Sequence, residues 1–198
     1  MKGKPIMNSA SLNEIMSAFR ETHQTILQLA SELSEEEFTW QPHPTANSIA
    51  FYLWHVARWA DYLPASFPDT TPELGKRLGP RQQIWRQEQL AAQWHLNPTL
   101  LGEEESGMDM DLTSAARLNL PGKATLLDYA RRTFAVIEQV LPVVDEEEFQ
   151  NRRHQEWATD TVGHYILAHL RHESEHLGMM QYIHGLYQLM TATSGESG

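Results

Sequence analysis

The stretch Thr161-Val-Gly-His-Tyr-Ile-Leu-Ala-His-Leu-Arg-His172-Glu-Ser-Glu-His176-Leu-Gly178 decides the reading of this 198-residue chain. It contains no Pro and no turn cluster, and a helix is expected from about Thr161 to Met190. One inward stripe can be drawn through Tyr165, His169, His172, His176, Met180, Ile183 and Tyr187. Imidazoles on a core-facing stripe need partners, because an unpaired buried polar group is costly. Residues four apart on a helix are about 5–6 Å apart at Cβ, so His172 and His176 can share one metal ion. Spacing alone does not establish this, since ten histidines in a chain of this length give roughly half of one such pair by chance.

Outward from that helix the pattern stays helical. Leu12, Ile15, Phe19, Ile26, Leu29 and Leu33 recur at helical spacing after Ser11 and Glu14, a capping-box pair. Ser34 caps one short turn before Trp40-Gln-Pro-His-Pro44 breaks the chain. A second long helix is expected from Asn47 or Ser48 to just before Pro64, with Tyr52, His55, Val56, Trp59 and Leu63 on one stripe. His55 stands in its middle, either as a third ligand or as a hydrogen-bonded core histidine. Between 64 and 121 the pattern is irregular: a helix is expected over Ile84 to His95, and Gly102 to Asp111 reads as a solvated acidic loop. From Thr125 a strong helix places Leu126, Leu127, Ala130, Phe134 and Ile137 on one face, and Pro142 ends it. The expected fold is all-α: a four-helix bundle with a long crossover carrying extra short helices, forming one domain over 1–198 with a disordered tail from 191.

Composition limits the chemistry. Cysteine is absent, which removes disulfides, thiolate metal sites and a Cys nucleophile. A net charge of −11 argues against nucleic acid as a partner. No apolar run is long enough to span a membrane, and no signal peptide is evident, so the cytoplasm is the expected location. Three protein nitrogens would leave coordination positions open, the catalytic rather than the structural pattern of a metal site.

Residues 172–176 also spell His-Glu-Ser-Glu-His, the H-E-x-x-H of zinc proteases, with Glu173 as general base. The extended motif asks for Gly at 179 and His at 182, where this chain has Met179 and Tyr182. No strand precedes the helix to hold an extended peptide. The protease is therefore the lesser alternative. His169 precedes His172 by three and reads as a core residue or as a partner to a ligand. His23, His43, His95, His154, His164 and His184 have no spacing that favours a role. Arg58 and Arg171 could hold a substrate carboxylate but read more simply as surface arginines.

Three segments resemble the DinB-like (YfiT-like) metalloenzyme superfamily, a bacterial family of four-helix bundles. They are Leu33-Ser-Glu-Glu-Glu-Phe-Thr-Trp40-Gln-Pro with Asn47-Ser-Ile-Ala-Phe-Tyr-Leu-Trp-His55, then Thr125 to Leu141, then the histidine-rich stretch quoted first. The resemblance implies a three-histidine site of His55, His172 and His176 binding a divalent metal ion, zinc or nickel, and a homodimer. It further implies a small-molecule substrate and chemistry on low-molecular-weight thiols, as a thiol-dependent transferase or isomerase, or else as a hydrolase. A metal-binding, stress-related bundle without turnover is the alternative. Glu173 is the candidate catalytic proton acceptor or a partner to a ligand imidazole, set against a plain exposed helix-face glutamate.

Overall fold

The computed structural model describes residues 9–155 and 159–195. In chain order the helices are α1 (Ser9–Glu32), α2 (Glu35–Thr39), α3 (Ile49–Thr70), α4 (Pro72–Leu78), α5 (Ile84–Gln87), α6 (Leu90–Gln93), α7 (Leu112–Ala116), α8 (Lys123–Val140), α9 (Glu146–Gln150) and α10 (Val162–Gly195). Short 3-10 turns cover Pro98–Leu100 and Leu141–Val143, and no strand occurs among the described residues. The expected all-α class holds.

Four long helices form the bundle. α3 packs against α8 and α10, and α1 packs against the same two, so α1 and α3 are diagonal. Phe19, Ile26 and Ala30 of α1 meet Leu126, Ala130, Phe134 and Ile137 of α8 in a core completed by Leu53, Trp54, Ala57 and Ala60 of α3. All are within a few per cent of full burial. At roughly 1.5–3 kcal/mol for each large apolar side chain, this burial is what holds the helices together. Serine and threonine hydroxyls fix where several helices begin: Ser34, Ser48 and Thr71 each accept the N–H of the residue three further on.

Four expectations require correction. α3 does not stop at Pro64 but continues to Thr70 with Pro64 and Pro68 inside it. Each proline removes a helical hydrogen bond, yet the apolar stripe continues through Leu63 and Phe67, both buried, and that burial outweighs the break. The single helix expected over Ile84 to His95 is two turns, α5 and α6, separated at Gln89, whose φ of 52° lies in the left-handed region. The 102–111 segment is solvated at Gly102 to Glu104, Asp109 and Asp111 as expected, but its centre is not, since Ser106 is almost fully buried. Finally, α10 runs through Gly195, so the start of the expected tail is helical, while 196–198 lie outside the described residues.

Candidate metal centre

The site forms where α3 and α10 pack together. His55 stands on α3 beside Trp54, one turn before the buried Arg58, while His172 and His176 stand one turn apart on α10. Their ring nitrogens converge. Nε2 of His172 lies 3.0 Å from Nε2 of His55 and 3.0 Å from Nε2 of His176. Among the described residues these three histidines form a group able to offer one ligand atom each to a single ion.

The ring orientations follow from their neighbours. Nδ1 of His55 bonds to the Ser106 carbonyl at 2.6 Å, which in the neutral ring makes Nδ1 the donor and leaves the lone pair on Nε2. Tyr52 stacks on His176 with ring centres 5.2 Å apart, and Trp59 meets His172 edge-on at 5.8 Å. No partner for Nδ1 of His172 or of His176 occurs among the described residues, so ring packing and the contacts among the three Nε2 atoms orient these two.

Burial, and then the neighbouring imidazole, holds His55, His172 and His176 each down at about 4. Neutral imidazole is the ligand form. Three such nitrogens meeting at one point are a donor set suited to a divalent cation such as zinc or nickel.

The loop that supplies Ser106 is moulded against α3. Glu104 and Glu105 have φ of 51° and 53°, and Gly107 has φ of 92°. A side chain at Gly107 would stand 2.9 Å from the Trp54 ring and 3.0 Å from that of Phe51. Arg58 anchors this loop. Its Nε donates to the Glu105 carbonyl at 2.9 Å, and Nη2 donates to the Glu104 carbonyl at 2.7 Å and to Gln83 Oε1 at 2.8 Å. Nη1 donates to the Tyr129 hydroxyl at 3.1 Å and reaches Asp61 at 3.4 Å. Arg58 is wholly buried, so the surface reading of it was wrong: all five of its N–H groups have acceptors. Asp61 also accepts the N–H groups of Ile84 and Trp85 at 2.8 Å, although burial pushes its carboxyl upward.

Glu173 is not brought together with the three histidines. It is fully buried, and its Oε2 lies 2.9 Å from Nε2 of His23 on α1. The His23 ring stacks on Phe134 of α8 with centres 3.9 Å apart. An exposed helix-face glutamate is therefore excluded, and so is an idle His23. The inward stripe of α10 keeps His169, Met180 and Ile183 as expected, but Ile166 and Glu173 complete its buried centre in place of Tyr165, His172 and His176. His172 and His176 flank that line and are half-buried. His169 is buried among Trp59 and Tyr165, where desolvation lowers it to about 3. Arg171 stays exposed and pairs with Glu175 at 3.6 Å.

Residues 18–180 match the DinB superfamily. Among solved structures, the chain is similar to one described as the crystal structure of the conserved protein of locus from Enterococcus faecalis. That similarity has a TM-score of 0.69 at 17% identity, over 90% of this chain and 96% of the other, and bears on the fold. No curated protein matches the chain.

Proposed function

Because this chain belongs to the DinB superfamily, we propose that it is a metal-dependent enzyme acting on a small molecule at His55, His172 and His176. The observation that carries this reading is the convergence of three neutral imidazole nitrogens, one buried and two half-buried, with no further His, Asp or Glu in the group among the described residues. Three protein ligands are the pattern of a site that keeps a position for water or substrate.

Bound there, zinc or nickel would supply Lewis acidity that lowers the pKa of a water or a thiol. The chain's own residues do the rest. Ser106 fixes the His55 tautomer, Tyr52 and Trp59 shield the histidines from bulk water, and Arg58 keeps the Ser106 loop in place. Glu173 enters the proposal as an anchor of α10 through His23 rather than as the proton acceptor at the site. The reaction class we favour is thiol-dependent transfer or isomerisation, with hydrolysis as the other outcome. The same reading includes a homodimer, for which the exposed Met179, Tyr182, Leu189 and Met190 of α10 offer an apolar surface.

Untagged protein assayed for metal is expected to carry about one ion per chain, and His55→Ala to carry almost none. Thiol consumption in the presence of an electrophile should then require the metal. Metal-free wild-type protein would remove the proposal, and ester cleavage without thiol would turn it to hydrolysis.

A further inference from the structure

A cavity of about 230 Å³ lies against His172, walled by Trp59 of α3, Met108 of the Ser106 loop, and Tyr165, Ala168 and His169 of α10. The wall is mostly apolar. An apolar cavity of about 150 Å³ is enough to hold benzene, so this one admits a benzene-sized group with a short substituent.

Almost every polar atom of the wall is already engaged or sealed. The Tyr165 hydroxyl is hydrogen-bonded with Ser66 Oγ at 3.0 Å. Arg171, which also borders the cavity, is exposed and pairs with Glu175. Nε1 of Trp59 and Nδ1 of His172 are closed off by neighbouring atoms, and Nε2 of His172 meets the other two ligand histidines. That leaves His169. It is only 6% exposed, and its ring packs edge-on against Trp59 and Tyr165. Neither of its nitrogens has a hydrogen-bond partner among the described residues, yet neither is closed off as those of Trp59 and His172 are. The open part of this buried ring therefore belongs to the cavity wall.

A buried ring nitrogen without a partner is costly, and a ligand that supplies the partner recovers the cost. A hydroxyl both donates and accepts, so it can satisfy either nitrogen in either tautomer. A carboxylate only accepts, and it would lose its water among apolar walls whose one neighbouring cation is already paired. His169 and His172 are three residues apart on α10, so a group held at His169 stands within one helical turn of a ligand imidazole. Met108 comes from the loop whose Ser106 carbonyl fixes His55, so one loop shapes both the cavity and the centre.

We infer that this cavity binds the apolar part of the substrate, a benzene-sized group carrying one hydroxyl, and that His169 hydrogen-bonds that hydroxyl. The inference rests on the metal-enzyme reading for the chemistry at His172 and adds to it the class of molecule acted on, a compact and uncharged hydroxyl compound.

Benzyl alcohol and toluene, which differ by the hydroxyl, are the probes. Each is titrated into full-length protein labelled with carbon-13 at the methionine methyls, and the Met108 signal reports occupancy of the cavity. Both probes should shift it. His169→Phe keeps an aromatic ring, removes both nitrogens, and is expected to weaken benzyl alcohol about tenfold while leaving toluene within threefold. Ala168→Leu fills the cavity and should weaken both at least tenfold. Should His169→Phe fail to fold, nitrogen-15 spectra of the wild-type histidines replace it: benzyl alcohol should move the His169 ring signals distinctly more than toluene does. A Met108 signal moved by neither probe, equal losses of both probes in His169→Phe, or His169 signals moved equally by both would overturn the inference. In cobalt-loaded protein, bound benzyl alcohol should show strong paramagnetic relaxation; cobalt uptake without that relaxation would also overturn it. Failure to take up cobalt with the Met108 shifts intact would instead overturn the metal reading and leave the cavity and His169 standing as a binding site.

Discussion

The hydrogen bond from His55 Nδ1 to the Ser106 carbonyl leaves Nε2 as the atom that can accept a cation. Loss of an outer partner of a metal-bound histidine costs roughly 10–100-fold in affinity, so loss of the ligand itself should cost more than ~100-fold. Competition titration of His55→Ala, His172→Ala and His176→Ala against a chromophoric chelator checks this; unchanged affinity in any one removes that residue from the site. Acid should act on the metal-free protein through the same rings. With His55, His172 and His176 at about 4 in the fold against about 6.5 when unfolded, the unfolded chain binds more protons between those values. Stability is then fully present above about pH 6.5 and falls as pH drops toward 4. Asp61 and Glu173, pushed upward by burial, pull the other way but are fewer than the imidazoles. A urea midpoint distinctly lower at pH 5 than at pH 7 is expected, and equal midpoints would contradict the burial of these rings. Glu173→Ala strands His23 in the core and should destabilise by about 1–3 kcal/mol, measured the same way.

At the scale of elements, α3 and the Ser106 loop behave as one unit because Arg58 binds them. Replacing Arg58 by Met leaves Asp61 buried and without its cation, and breaking a buried pair in this way costs about 3–5 kcal/mol. Denaturant unfolding of Arg58→Met should show that loss together with weaker metal binding; loss of stability with metal affinity intact would separate the loop from the centre. This coupling explains what could be read from sequence. Helical spacing displayed the long helices, and His172 with His176 declared themselves because their partnership is local, four residues apart. His55 came within reach through its place on a second apolar stripe and through the family resemblance. Ser106 did not, because it acts through a carbonyl that every residue has, delivered by left-handed backbone at Glu104, Glu105 and Gly107. Arg58 misled for a related reason: apart from Asp61, its acceptors are 25 to 71 residues away, and an arginine with so little of its partnership nearby in sequence reads as a surface residue. Glu173 and His23 lie 150 residues apart, so their pairing left no mark in either local pattern.

For the molecule as a whole, a ligand that binds the folded state at a thousand times its Kd adds roughly 4 kcal/mol. For a chain of this size that corresponds to roughly 8–16 °C in Tm. Chelation by EDTA should lower the melting temperature of the metal-loaded protein by that order, and an unchanged melting curve would argue that no structural weight rests on the ion. Sedimentation equilibrium at micromolar concentration should give twice the chain mass if α10 carries the dimer contact; a monomer would withdraw it. The separation of the ligands along the chain has a temporal side. His55 and His172 are 117 residues apart, and α10 is made after every other described helix. A ribosome that has delivered α3 has made only one third of the binding set, so a nascent chain cannot capture the metal through this trio until α10 has emerged and docked. Loading is thereby deferred to nearly complete molecules, and a truncated product lacking α10 would leave the cell's metal pool untouched by this centre.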